Sequence, residues 1–183
     1  MILYQNDTEV LQLFNLHVSQ EDFERIVSQI HWHHNNITIY GKEYQEPRLT
    51  AWFGPPYRYS SIQWPGLEMP ECLFGLKKMA EENSGFAFNS VLLNYYRNGA
   101  DSMGWHSDNE REMNQSCIAS ISLGESRKMK FKHKVTKETI DVVLRHGDLL
   151  VMRDFQKHWQ HSIPKTTRPL GPRLNLTFRE IIS

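Results

Sequence analysis

The segment Gly104-Trp105-His106-Ser107-Asp108 sets a histidine and an aspartate two positions apart. In an extended chain that spacing sends both side chains to one face, so an imidazole nitrogen and a carboxylate oxygen can reach the same metal ion. A third donor from a distant segment would place two histidines and one carboxylate on one side of the metal. Three positions then stay open for a bidentate cosubstrate and dioxygen, the arrangement of non-haem iron(II) oxygenases. The third donor must come from His133, His146, His158 or His161. His161 fits best: it shares a strand face with Trp159, and Ser162-Ile163-Pro164 ends the run, whereas His158 points the opposite way and reads as a surface residue. His31, His33 and His34 fall at the end of an expected helix, where its dipole favours imidazolium, and read as structural or exposed.

A second group of chemically capable residues lies in Pro172-Arg173-Leu174-Asn175-Leu176-Thr177-Phe178-Arg179. Alternation puts Arg173, Asn175, Thr177 and Arg179 on one face and Leu174, Leu176 and Phe178 on the other. In a generic strand the arginines face solvent. The alternative turns them inward, which is costly unless the charges are paired. Their Cα atoms lie roughly 20 Å apart along a strand, and two long side chains leaning together could span a short dicarboxylate, which guanidinium groups grip through parallel hydrogen bonds. Asn94 and Tyr96 share a face of another expected strand and could donate to the same ligand.

These residues need elements to hold them. Ser19 followed by Asp22 marks a helix start, with Phe23, Ile26, Val27 and Ile30 at helical spacing. A second helix is expected from near Pro70, with Leu73, Phe74 and 76–79 inward, stopping before Gly85. After Phe86 the chain reads as strands: 90–96, 118–123, 129–135, 140–144, 148–152 and 173–179. Two helices followed by strands indicate an α+β fold, a β-sandwich or open barrel with the helices on one side. Residues 40–64 carry seven of the chain's 21 aromatics among Pro and Gly, a density that suggests a lid. Lys128, Lys130, Lys132 and Lys134 share one strand face, as a solvated surface or a phosphate-contacting ridge.

The chain has 183 residues, 39% of them hydrophobic, enough for one domain with a sizeable core. Basic and acidic residues balance at 21 each, so any nucleic-acid footprint must be local. Two cysteines, Cys72 and Cys117, form no disulfide framework or CxxC pair, which suits a reducing compartment. Residues 1–10 lack the marks of a signal peptide and no apolar run approaches membrane-spanning length. A soluble intracellular monomer with no membrane partner is expected.

Asn94-Tyr95-Tyr96, His106-Ser107-Asp108-Asn109-Glu110, Trp159-Gln160-His161 and Arg173-Leu174-Asn175-Leu176-Thr177-Phe178-Arg179 match, in order and spacing, the AlkB-type oxidative dealkylases of the iron(II) and 2-oxoglutarate oxygenases. The resemblance runs from about Pro47 to Arg179. Within it, Pro47-Arg48-Leu49-Thr50-Ala51-Trp52-Phe53-Gly54 and 101–108 look most similar to the AlkB homologue 3 subgroup, which acts on single-stranded DNA and RNA. It implies a double-stranded β-helix, or jelly-roll, with N-terminal helices packed on one sheet. It also implies a single domain over 1–183, with a nucleotide-recognition lid at about 38–64 and a catalytic core at about 86–183. His106, Asp108 and His161 would hold iron(II). Asn94, Tyr96, Arg173 and Asn175 would face 2-oxoglutarate, with Arg179 near its 2-oxo acid end. The family uses O2 and 2-oxoglutarate to hydroxylate an N-methyl group on a damaged base, releasing formaldehyde, succinate and carbon dioxide. Asn109 departs from the family's frequent aspartate there, keeping the hydrogen bonding without the charge.

Such a substrate, single- or double-stranded nucleic acid carrying 1-methyladenine or 3-methylcytosine, presents a cationic base with an exocyclic amine. Glu110 could accept from that amine and complement the charge. An extruded base must be held between flat side chains; the expected contacts are Trp52, Tyr57 and Tyr59 from the lid and Trp105 beside the metal motif, with Arg48 and Lys132 on phosphates. The remaining readings are an oxygenase acting on protein or lipid, a catalytically silent nucleic-acid-binding module, and a zinc hydrolase using the same three ligands.

Overall fold

The structure, a computed structural model, describes residues 1–39, 41–59 and 62–182; the side chains at 38, 39, 57–59 and 62 lie outside what it describes. Helix α1 (Gln20–Gln29) starts where the sequence places it. Ser19 Oγ accepts from the Asp22 N–H at 3.0 Å, and the Asp22 carboxylate returns to the Ser19 backbone, closing a capping box. Helix α2 (Phe74–Ser84) follows a 3-10 turn at Glu71–Leu73 and ends at Gly85, whose left-handed backbone (φ 72°) lets its N–H reach the Glu81 carbonyl.

Two antiparallel sheets carry the rest. The larger has seven strands in the order β1 (Ile2–Gln5), β2 (Val10–Asn15), β13 (Asp148–Arg153), β10 (Cys117–Gly124), β15 (Arg173–Arg179), β8 (Ser90–Tyr96) and β5 (Leu49–Phe53). The smaller runs β12 (Thr139–Leu144), β11 (Arg127–His133), β14 (Trp159–Ile163) and β9 (Met103–His106). β3 (Asn36–Ile39) pairs with β4 (Lys42–Gln45), and β6 (Tyr57–Tyr59) with β7 (Ile62–Trp64), as separate hairpins. This is the jelly-roll expected from the sequence, with one correction. Strands also precede the first helix and fill the space between the helices. β1 and β2 are an edge pair in which only Leu11 is fully buried, so they carry almost no alternation, and β2 finds its other partner on β13, more than a hundred residues away.

The larger sheet buries both faces. Val91, Leu93, Ala119, Ile121, Leu174, Leu176 and Phe178 pack beneath Phe23, Ile26, Leu73, Leu76 and Ala80 of the helical layer. The opposite face closes against the smaller sheet, where Leu92, Ile118, Leu150 and Met152 meet Met129, Phe131, Leu144, Trp159 and Ile163. β15 is therefore buried at all seven positions, and its leucines and its arginines are both inside, on different faces. Among the described residues no helix is long and apolar enough to cross a membrane.

The excursion between β5 and β8 leaves the sheet through a narrow neck. Gly54 and Leu67 exchange backbone hydrogen bonds at 2.8 and 3.0 Å. Gly54 takes φ 137°, and a Cβ there would lie 2.5 Å from the Ser90 Cβ, so only glycine lets the chain pass this close to β8.

Ser19→Ala is expected to lower stability by about 1 kcal/mol at neutral pH. Hydrogen bonding from Ser19 holds the Asp22 carboxyl below its ordinary value. The difference between the proteins should therefore be full above pH 4 and shrink as pH falls through the depressed Asp22 value. Chemical unfolding at pH 7 and pH 3 measures both.

Candidate metal centre and cosubstrate pocket

β9 and β14 are neighbours, and their pairing sets His106 opposite His161. The two imidazole rings lie 4.2 Å apart between centroids. Just beyond β9 the chain turns, bringing the buried Asp108 carboxylate to the same point. Its oxygens are 3.7 Å from His106 Nε2 and 3.8 Å from His161 Nε2, and one donor atom from each residue falls within 4.8 Å of the others. His106 Nδ1 donates to the Gly104 carbonyl at 2.9 Å. A carbonyl only accepts, so the hydrogen is on Nδ1 and the Nε2 lone pair faces the cluster.

Electrostatics keep the set in its metal-binding form. Burial pushes the His106 and His161 values down, His161 to about 3, with Asp108 opposing in both. Burial alone would raise the Asp108 carboxyl. Arg179 and the two imidazoles outweigh it and hold the group below the ordinary carboxylate range. Two neutral nitrogens and one carboxylate oxygen, all on one side, match the donor chemistry of a ferrous ion with open positions.

The inward face of β15 and β8 forms a wall beside this cluster. Asn94, Tyr96, Arg173, Asn175, Thr177 and Arg179 line one cavity with the three candidate ligands. At the metal end, Arg179 Nη2 donates to Asp108 Oδ1 at 2.8 Å. Away from it, Arg173 is 1% exposed, and Nη2 donates to Ser122 Oγ at 2.8 Å. Its Nε and Nη1 are buried with no hydrogen-bond partner. A buried guanidinium with two unused donors is the feature a carboxylate would satisfy, so the residues present fit a dicarboxylic cosubstrate.

Asn94 and Asn175 differ. Arg48 Nε donates to Asn94 Oδ1 at 2.7 Å, which leaves the amide's NH2 as donor. Asn175 Nδ2 already donates to Ser120 Oγ and the Ile121 carbonyl, and its oxygen accepts from Thr177. Asn175 thus lines the cavity with its donors committed to the protein.

Two expected substrate contacts are corrected. Arg48 is 3% exposed and ion-paired with Glu46 at 2.7 Å, so it cannot meet a phosphate in solvent. Trp52 is 1% exposed, with Nε1 donating to the Pro55 carbonyl, because β5 is a strand of the larger sheet and its inward side chains belong to the core. The four-lysine face is uneven too. Lys128 and Lys130 lie 3.2 and 3.6 Å from the Asp141 carboxylate, and Lys134 caps the carbonyls of Gln156 and Lys157. Lys132 instead sits over the ring of the exposed Trp105, 4.9 Å from its centroid. Glu110 lies half-buried in the turn after Asp108. The side chains of Tyr57 and Tyr59 lie outside the described residues.

Sequence reasoning missed Gln156. It is 1% exposed in the 3-10 turn Phe155–Lys157, and its Oε1 accepts from the Asp108 N–H at 3.0 Å. That turn is entered through Asp154 in a left-handed conformation (φ 51°). A single glutamine between two strands gives no periodic signal that could have singled it out.

Comparison with known proteins agrees with this geometry. Residues 12–179 match the model of the 2OG-Fe(II) oxygenase superfamily. The chain is 39% identical over 172 residues to alpha-ketoglutarate-dependent dioxygenase alkB homolog 3 of Bos taurus, covering 87% of this chain and 60% of that protein. It is 31% identical over 192 residues to DNA oxidative demethylase ALKBH2 of Homo sapiens, covering 96% of this chain and 74% of the relative. The chain thus spans about 60% of the length of the homolog 3 relative. The solved structure of OsALKBH1 superposes with a TM-score of 0.65 over 97% of this chain and 100% of that one, at 18% identity, a likeness of fold. With a family match over residues 12–179, nearly its whole length, the chain belongs to the 2OG-Fe(II) oxygenase superfamily.

Proposed function

We propose that this protein removes alkyl groups from ring nitrogens of nucleic-acid bases, of the 1-methyladenine and 3-methylcytosine type, using iron(II), O2 and 2-oxoglutarate. The observation that carries the reading is the meeting of His106, Asp108 and His161 with the unsatisfied Arg173 guanidinium in one cavity. The names of the relatives, a dioxygenase of the alkB homolog 3 type and a DNA oxidative demethylase, point to the substrate class.

When bound, the iron and its cosubstrates supply the oxidation of an N-methyl carbon, which then leaves as formaldehyde alongside succinate and carbon dioxide. His106, Asp108 and His161 hold the metal. Arg179 keeps Asp108 ionised, so the metal meets a carboxylate rather than a carboxylic acid. Arg173, Tyr96 and the amide nitrogen of Asn94 receive the far carboxylate of 2-oxoglutarate. Gln156 fixes the backbone of Asp108 from behind. The β6–β7 hairpin, tied at its neck by Gly54 and Leu67, acts as the lid over the base, with Tyr57 and Tyr59 as its contacts. Glu110 complements the cationic base, and Trp105 with Lys132 meets the flanking strand.

The direct test is incubation with matched single- and double-stranded DNA and RNA carrying 3-methylcytosine. Formaldehyde and unmodified cytosine are expected only with iron and 2-oxoglutarate together, and His161→Ala should reduce both to background. Succinate formed without loss of methyl from any of the four would redirect the oxygenase to a protein or lipid substrate. Gln156→Ala should weaken metal binding about 10- to 100-fold without unfolding the protein, read by titrating Mn(II) into the apoprotein. Lys132→Glu should weaken binding to all sequences alike and reduce the salt dependence by about one charge, measured by anisotropy across a salt series.

A further inference from the structure

Arg127 opens β11 in the smaller sheet, 3% exposed, and its guanidinium lies over the ring of Tyr96, a residue that lines the cosubstrate cavity. Its nitrogens donate to three backbone carbonyls: Asn98 at 3.1 Å, Asp101 at 2.9 Å and Pro164 at 2.8 Å. Carbonyl dipoles satisfy the donors, and the attraction of Asp101 only partly offsets the cost of burying the charge. The nearby Asp101 carboxylate is already engaged by Arg97 at 2.8 Å. Among the described residues neither Arg127 nor Arg173 has a carboxylate within ion-pair distance.

Both guanidinium groups converge on one ring. The Arg127 Cζ lies 5.5 Å and the Arg173 Cζ 5.3 Å from the centroid of Tyr96, a cavity-lining residue. Two like charges buried around one aromatic ring, with no carboxylate in direct ion-pair contact with either among the described residues, are costly to maintain. Tethering three carbonyls does not require that charge. The arrangement becomes favourable when an anion enters, and the unused Nε and Nη1 of Arg173 locate where it would sit. The opposite end of the cavity differs, because Arg179 is neutralised there by Asp108.

We propose that Arg127 is a positioning residue of the cosubstrate pocket: acting through Tyr96 and beside Arg173, it supplies the second positive charge that selects a 2-oxo acid with a far carboxylate. The inference rests on the proposed oxygenase reading and concerns which acid is chosen. A 2-oxo acid without the far carboxylate uses only the metal end and gains nothing from Arg127.

The test titrates 2-oxoglutarate and 2-oxobutyrate into Mn(II)-loaded wild-type, Arg127→Met and Arg127→Lys proteins by calorimetry. Arg127→Met should weaken 2-oxoglutarate roughly tenfold or more while 2-oxobutyrate changes by less than about twofold. Arg127→Lys should recover most of the 2-oxoglutarate affinity even though its melting temperature falls with the lost carbonyl bonds, which separates charge from scaffold. Arg127→Gln replaces the methionine variant should that one not fold. Unchanged 2-oxoglutarate binding in the neutral variant, equal losses for both acids, or a lysine variant as weak as the neutral one would each overturn the role of Arg127. Wild-type protein binding neither acid would overturn this inference and the oxygenase reading together.

Discussion

Arg179 and Asp108 meet at 2.8 Å with both side chains about 3% exposed, and the surrounding structure is organised around keeping that buried pair intact. Taking two charges out of water costs several kcal/mol each, and the attraction offsets this only when the remaining lone pairs and protons are also satisfied. Asp108 meets that condition from several sides. Its backbone N–H is held by Gln156, one oxygen takes Arg179, and both oxygens face imidazoles that burial keeps neutral. Removing either partner of such a pair costs about 3–5 kcal/mol, so the contact fixes the carboxylate while also tying the polar face of β15 to the candidate metal cluster at the end of β9.

That dependence explains which parts of the site were legible in sequence. A histidine and an aspartate two apart are a local pattern, and the alternation of Arg173, Asn175, Thr177 and Arg179 is another; both follow from the two-residue period of a strand. Helix α1 was legible for the same reason, since Ser19 and Asp22 cap it across three residues. The burial of β15 on both faces was not. Whether an arginine faces solvent or a second sheet is decided by β11 and β14, which lie on the far side of the sandwich. Arg48 and Trp52 were misread through the same gap: their neighbours suggested an exposed aromatic loop, whereas β5 pairs with β8 along its whole length and draws their side chains inside. Gln156 and Arg127 act on residues 48 and 26 or more positions away, beyond the reach of any local pattern.

The two faces of the larger sheet divide the work. Beneath the helices an aliphatic and aromatic cluster runs from Phe23 and Leu76 to Leu176 and Phe178. Facing the smaller sheet, the aliphatic and aromatic cluster yields on β8 and β15 to asparagines, arginines and hydroxyls. Much of this polar wall is bonded internally: Arg48 to Asn94, Ser122 to Arg173, Ser120 and Thr177 to Asn175. Arg173, at the end of the cavity away from Asp108, keeps two buried donors unused. A ligand gains most where a donor has nothing else to do, so a carboxylate entering this cavity is drawn to the Arg173 guanidinium.

The N-terminal hairpin, which carried no chemical signal in the sequence, supports the candidate ligand Asp108 through packing. Tyr4 of β1 meets the rings of Phe155 and Trp159 edge-on at 5.8 and 5.1 Å, and those two rings stack on each other at 4.9 Å. The buried Glu9 reaches His158 Nδ1 at 2.8 Å, and Lys134 holds the carbonyls of Gln156 and Lys157. All of these contacts converge on the short turn from Phe155 to His158, whose Gln156 holds the Asp108 amide. A glutamine on an unsupported turn could rotate away from its partner. Here the rings fix the turn from one side and the lysine from another, so the position of Asp108 is set partly by the edge of the sheet farthest from it in sequence.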